Sequence, residues 1–203
     1  MNLPLQVAVY AVAIPALVTA AAFIAARLTL KRRPLASERA AAVGLSQGVA
    51  LKDIASALET ITAVAGRLRP LPARKGARLI DDSYNANPAS LEAGLAVLAA
   101  HPGRRTLVLG DMAELGEEAV ELHRQAGRLA RERGIDRLYA VGELAREAAE
   151  AFGAQGCGFS TVEALVTALL EDLNKEDTVL VKGSRSAGME RVVDALTPSR
   201  GEG

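Results

Sequence analysis

Three short apolar runs constrain the fold of this chain more than any other feature. They are Thr106-Leu107-Val108-Leu109, Arg137-Leu138-Tyr139-Ala140-Val141 and Thr178-Val179-Leu180-Val181. Strands that face water on one side alternate polar and apolar residues. These runs do not alternate, so they read as strands covered on both faces. Helical periodicity lies between and around them: Leu91, Leu95 and Leu98; Val120, Ala126, Leu129 and Ala130; Glu143 to Phe152; Val162, Leu165, Leu169 and Leu173; and Ala187 to Leu196. Ala77 to Ile80 reads as a further short buried strand, and Gly156 to Ser160 as a weak edge strand. Strands that alternate with helices in this way predict an α/β fold, a mostly parallel sheet with helices on both faces. An all-α segment precedes it, with helices expected over Leu35–Leu45 and Leu51–Leu58. Residues 63–76, rich in Gly, Pro and Arg, read as an entry loop.

Each predicted strand runs into a polar turn. The densest is Asp81-Asp82-Ser83-Tyr84-Asn85-Ala86-Asn87-Pro88, which places two carboxylates and two carboxamides where a strand gives way to a helix. Asn87 suits the N-cap and Pro88 the first helical position. The others are Gly110-Asp111-Met112, Gly142-Glu143 and Lys182-Gly183-Ser184-Arg185. In a parallel sheet these turns share one edge, where open α/β folds bind ligands. The competing reading is that such turns need Gly, Asp, Ser and Asn for caps and turns alone. Lys182 and Arg185 add positive charge there, which suits an anion or a solvated surface.

Several chemistries find no support. The sequence carries neither G-x-x-x-x-G-K-[ST] nor G-x-G-x-x-G at a strand end. His101 and His123 have no companion at metal-ligand spacing, and Cys157 is the single cysteine. Lys plus Arg and Asp plus Glu both number 24, so nothing points to nucleic acid.

The N-terminus reads differently. Residues 1–26 carry no charged side chain, and the apolar run from Leu3 to Leu30 ends at Lys31-Arg32-Arg33-Pro34. Length and flank fit a transmembrane helix with its C-terminal end in the cytoplasm. A buried Ala-rich helix and a segment substituted by a shifted reading frame or wrong start are the alternatives. The expected organisation is therefore an apolar segment over 1–34, a helical segment over 35–63 and an α/β domain over 64–203.

Taken together, four motifs in order resemble the C-terminal domain of the Mur ligases, and among them the members that join D-alanyl-D-alanine to UDP-N-acetylmuramoyl-tripeptide. They are Gly66-Arg67-Leu68; Asp81 to Pro88; Val108 to Met112 with Glu114-Leu115-Gly116 and His123; and Leu180 to Arg185 with Met189-Glu190. The resemblance spans about residues 36 to 196 and implies a Rossmann-like domain of a cytoplasmic, ATP-dependent carboxylate–amine ligase of peptidoglycan synthesis. In that family ATP phosphorylates the tripeptide carboxylate and the dipeptide amine attacks the acyl phosphate. ATP and Mg2+ are held mainly by a central domain whose P-loop this sequence lacks. Carried over by position, Arg67, Asp82, Asn85 and Asn87 are expected at the nucleotide, and Lys182, Ser184, Arg185 and Asp111 at the dipeptide. His123 is expected to be structural, and no metal site or complete catalytic set is expected within this chain. The implication is a C-terminal part that does not ligate alone, either a truncated fragment or a split half served by a separate chain with the N-terminal and central domains. The alternatives are a membrane-tethered, non-catalytic nucleotide- or peptide-binding module, contacting the bilayer through residues 3–30, and an unrelated α/β signalling domain with Asp81-Asp82 as phospho-acceptors.

Overall fold

The computed structural model describes residues 43–60 and 64–198. The apolar segment over residues 1–34 and most of the helix expected over Leu35–Leu45 lie outside them. Among the described residues, no helix is long and apolar enough to cross a membrane. The chain divides into two compact units, one ending at Thr62 and one beginning at Ala63. In the first, helix α1 (Leu51–Thr60) buries Ile54.

The second unit holds the sheet. Its elements are β1 (Arg69–Pro72), β2 (Arg78–Asp82), α2 (Pro88–Ala99), β3 (Arg104–Gly110), α3 (Ala119–Glu132), β4 (Arg137–Val141), α4 (Glu143–Phe152), β5 (Gly156–Phe159), α5 (Val162–Asp172), β6 (Asp177–Lys182) and α6 (Glu190–Leu196). The six strands lie in the order β1-β2-β6-β3-β4-β5. All neighbours are parallel except β1 and β2.

Strand side chains alternate between two cores, as the pleat requires. Ile80, Leu107, Leu109, Leu138, Ala140 and Leu180 pack with α2, α3 and α4. Leu79, Val108, Tyr139, Val141, Val179 and Val181 pack with α5 and α6. A mostly parallel sheet covered on both faces is thus what the apolar runs predicted. Because α6 follows β6 onto one face while α2 and α3 follow its neighbours onto the other, crevices open at the C-terminal end of β6.

The entry segment departs from expectation. Residues 69–72 are a strand rather than loop, pairing Arg69 with Asp81 and Leu71 with Leu79. Pro70 and Pro72 made this stretch read as a loop, but β1 lies at the sheet edge, where a missing N–H is tolerated. The two ends of α3 and α6 also shift: each is preceded by a 3-10 turn, Gly116–Glu118 and Arg185–Ala187, so the α-helices begin at Ala119 and Glu190.

Strand β6 is pinned at both ends by buried charge. At its start, Arg104 makes two bonds to Asp177, Nε to Oδ1 at 2.5 Å and Nη2 to Oδ2 at 2.6 Å. The hydrogen bond to Asp177 holds the Arg104 guanidinium above its ordinary range. Helix α3 approaches α4 closely enough that a Cβ at Gly127 would stand 2.0 Å from the Ala148 carbonyl oxygen. Gly127→Ala is therefore expected to destabilise this unit by about 1–3 kcal/mol, the usual scale of overpacking; urea denaturation followed by circular dichroism measures it, and an unchanged midpoint would refute the close approach.

Candidate functional site

Asp81 and Asp82 do not sit in the turn after β2; they are its last two residues, and both are buried. Alternation sends them to opposite faces. Asp81 accepts from the Gly66 N–H at 2.8 Å, and from the Ser83 N–H and hydroxyl at 3.2 and 2.6 Å. Asp82 accepts from the Leu68 N–H at 3.1 Å through Oδ1, and from Lys182 Nζ at 2.6 Å through Oδ2. The two carboxylates thus hold the amides on either side of Arg67.

Lys182 is the residue directly opposite Asp82 in the β2–β6 register. Its side chain is 1% exposed, and its ammonium also donates to the Asn85 carbonyl at 2.9 Å. The expectation was a lysine facing a ligand. The structure instead turns it inward, beneath α2, because residues 80, 82, 180 and 182 share one face of the pleat. Gly94 of α2 leaves room for the pair: a Cβ there would lie 3.1 Å from Leu180 Cδ2 and 3.6 Å from Asp82 Oδ2.

The remaining turns are also braced from within. Asn87 caps α2, accepting from the Ser90 N–H at 2.9 Å, while Ser90 Oγ accepts from the Asn87 N–H. Asn85 is exposed, with Oδ1 accepting from the Ala86 N–H. Asp111 joins three turns: its carboxylate accepts from the Ala145 N–H at 2.7 Å, and its carbonyl accepts from the Ser184 N–H at 2.9 Å. A Cβ on Gly142 would collide with the Asp111 carboxylate at 2.2 Å, and Gly142 has φ 121°, so this contact needs glycine. Ser184 is buried, with its hydroxyl 3.1 Å from that of Ser186. His123 is fully buried; its Nε2 accepts from the Met112 N–H at 2.9 Å, which places the ring proton on Nδ1, facing the Ala119 carbonyl at 2.7 Å. That is a structural role, as expected.

Two of the expected site residues face outward together. Arg67 and Arg185 are exposed, and their guanidinium carbons stand 4.7 and 5.2 Å from the centre of one ring, Tyr84. Neither has a carboxylate partner among the described residues. Tyr84 and Arg185 line a cavity of about 730 Å3 together with Gly66, Arg69, Arg74, Asp81, Glu190 and Asp194. A second cavity of about 400 Å3 lies at the sheet edge between the turns after β3, β4, β5 and β6, lined by Asp111, Gly142, Ser160, Thr161, Ser186 and Arg191. Sequence reading missed Tyr84, Ser160, Thr161, Ser186 and Arg191. Tyr84 lies inside the richest motif, but only the fold brings the two arginine-bearing turns to its ring. Among the described residues no three His, Cys, Asp or Glu side chains come together as metal ligands.

The Asp82–Lys182 pair gives a direct test of how the site is built. Lys182→Met leaves a buried carboxylate without its partner, and the expected loss is about 3–5 kcal/mol. Asp82→Asn combined with Lys182→Met is expected to cost less than the two single changes added together. Urea midpoints of the four proteins decide it, and strict additivity would mean that the two groups do not interact.

Comparison with known proteins places the chain in a family. The family described as "Mur ligase, glutamate ligase domain" matches residues 66–185. The UDP-N-acetylmuramoyl-tripeptide–D-alanyl-D-alanine ligase of Escherichia coli K12 is 46% identical over 159 residues, covering 77% of this chain and 35% of the relative. The ligase of the same name from Mycobacterium tuberculosis H37Rv is 38% identical over 183 residues. Among solved structures, MurF from Acinetobacter baumannii superposes with a TM-score of 0.67 at 33% identity, covering 78% of this chain and 35% of that one. The MurF ligase of Thermotoga maritima, solved in complex with ADP, gives a TM-score of 0.62 at 30% identity, covering 78% and 36%. The chain thus spans about 35% of the length of these relatives, along their C-terminal part. Because that family match covers more than half of the chain, the chain belongs to the Mur ligase family through its C-terminal, glutamate ligase domain.

Proposed function

We propose that residues 64–198 serve as the C-terminal domain of an ATP-dependent ligase that adds D-alanyl-D-alanine to UDP-N-acetylmuramoyl-tripeptide in the cytoplasm. The observation that carries this reading is the outward pair Arg67 and Arg185 on either side of Tyr84, two guanidiniums without carboxylate partners among the described residues, with Tyr84 and Arg185 lining a cavity. Their fixed charge suits the phosphates of a nucleotide, and the Thermotoga relative's structure is one with ADP. Bound ATP supplies the phosphoryl group that activates a carboxylate. In this reading Arg67 and Arg185 orient and neutralise its phosphates, with Asn85 beside them.

Mg2+ fits this chain's residues poorly. The best-placed carboxylates, Asp81 and Asp82, are already bonded to backbone amides, Ser83 and Lys182. We assign the metal and most of the ATP contacts to the central domain of the ligase, contributed by residues beyond the described ones or by a separate chain. Asp82, Lys182, Asp111 and Asn87 act in this reading as the frame that holds the turns, rather than as groups in contact with nucleotide or dipeptide. The dipeptide is assigned to the smaller cavity, where the hydroxyls of Ser160, Thr161 and Ser186 and the guanidinium of Arg191 surround a space at the sheet edge. Arg191 is paired there with Glu163, so a substrate carboxylate must compete for it.

A chimaera tests the assignment. The C-terminal part of the Escherichia coli ligase is replaced by residues 64–198 of this chain, and formation of the UDP-linked pentapeptide is followed by chromatography. The chimaera is expected to ligate, while the present chain alone turns over no ATP with the same substrates. A folded chimaera that binds tripeptide precursor yet forms no product would sink the proposal. Arg67→Ala in the active chimaera is expected to lower kcat/KM about 100-fold, the scale of a lost charge-stabilising group.

A further inference from the structure

Tyr84 is the largest exposed side chain of the motif that ends β2, at 44% exposure. Its backbone is firmly placed. The Tyr84 N–H donates to the Gly66 carbonyl at 3.0 Å, and the two segments approach so closely that a Cβ on Gly66 would stand 2.8 Å from the Tyr84 Cβ. Gly66 has φ 74°, which a side chain would resist in any case. The segment bearing Arg67 is therefore strapped to the segment bearing Tyr84 by three contacts: Tyr84 to Gly66, Asp81 to Gly66 and Asp82 to Leu68. Arg185 comes from a different strand end, at the start of the 3-10 turn after β6. Two like charges from separate turns meet at one aromatic ring. The negative face of that ring attracts each guanidinium and offsets their mutual repulsion.

We propose that Tyr84 is a positioning residue, a shared platform that holds Arg67 and Arg185 together as one clamp for a phosphate-bearing ligand. The ligand half of this rests on the nucleotide reading above; the platform half does not. Because Arg67 rides on the entry segment and Arg185 on the β6 turn, the ring is what makes two separate cations act as one site. Removing the ring frees both side chains without removing either charge, so binding weakens while net charge is unchanged.

The test uses the full chain and four substitutions: Tyr84→Phe, Tyr84→Leu, Arg67→Ala and Arg185→Ala. Calorimetry with ADP, and with adenosine as the phosphate-free comparison, gives the affinity. Nuclear magnetic resonance gives the ring-current shift of the arginine side-chain protons in the free protein. We expect upfield-shifted Arg67 and Arg185 protons in the wild type and in Tyr84→Phe, and loss of both shifts in Tyr84→Leu. ADP affinity should fall about tenfold in Tyr84→Leu, the scale of a lost cation–π contact, and stay within about twofold in Tyr84→Phe. Arginine shifts that are the same in Tyr84→Leu as in the wild type overturn the platform, whatever ADP does. Unchanged ADP affinity in Tyr84→Leu alongside a loss in Arg67→Ala overturns the positioning role and leaves the anion site standing. A wild-type chain that binds ADP no better than adenosine overturns the clamp's ligand, and the ring-current shifts then decide the platform alone.

Discussion

The turn that identifies this domain depends on one buried ion pair. Asp82 and Lys182 end adjacent parallel strands, in register, on the same face of the sheet. A lone charge there would be strongly unfavourable. The pair is tolerated because each partner is also hydrogen-bonded, Asp82 to the Leu68 N–H and Lys182 to the Asn85 carbonyl. Those two additional bonds reach in opposite directions, one to the segment entering the domain and the other to the turn leaving β2. A single pair therefore ties three pieces of chain whose sequence positions are far apart. Helix α2 crosses over the pair at Gly94, where a Cβ would press on Leu180 Cδ2 at 3.1 Å and only touch Asp82 at 3.6 Å.

The same logic recurs at the other end of β6, where Asp177 is held by Arg104 from β3. The central strand is apolar in its middle and charged at both tips, and each charge is answered by a different neighbour. That arrangement fixes register as well as position, since a slip by one residue would strand a charge in the core and send every side chain to the wrong face. It leaves the exposed side chains of Arg67, Tyr84 and Arg185 free of any part in holding the strands in register.

Much of the architecture was legible in the sequence because it follows from local rules. Uninterrupted apolar runs marked the covered strands, Asn87-Pro88 marked the start of α2, and His123 read as structural. What escaped was of two kinds. β1 was hidden by Pro70 and Pro72, since strand propensity says nothing about whether a strand will lie at an edge. The division of labour among the motif's polar residues was hidden too. Sequence shows that Asp81, Asp82, Lys182 and Asp111 are polar and near strand ends, but whether they point in or out depends on the phase of the pleat and on partners from 15 to 100 positions away. The aromatic between them drew no notice because tyrosine is unremarkable in a turn until two arginines are seen against it.

The antiparallel β1 has a practical consequence for anyone dividing such a ligase into parts. The short strand and the glycine turn before it look like dispensable linker. Yet a fragment starting at Ala77 would lay bare the hydrogen-bonding edge of β2 and remove the Gly66 and Leu68 amides that Asp81 and Asp82 accept from. Such a piece would present an unpaired strand beside two buried carboxylates that have each lost a backbone donor, and it would be prone to pair with whatever chain it met. The natural seam of the domain therefore lies before Gly66, and the segment that leads into the domain is itself part of the sheet.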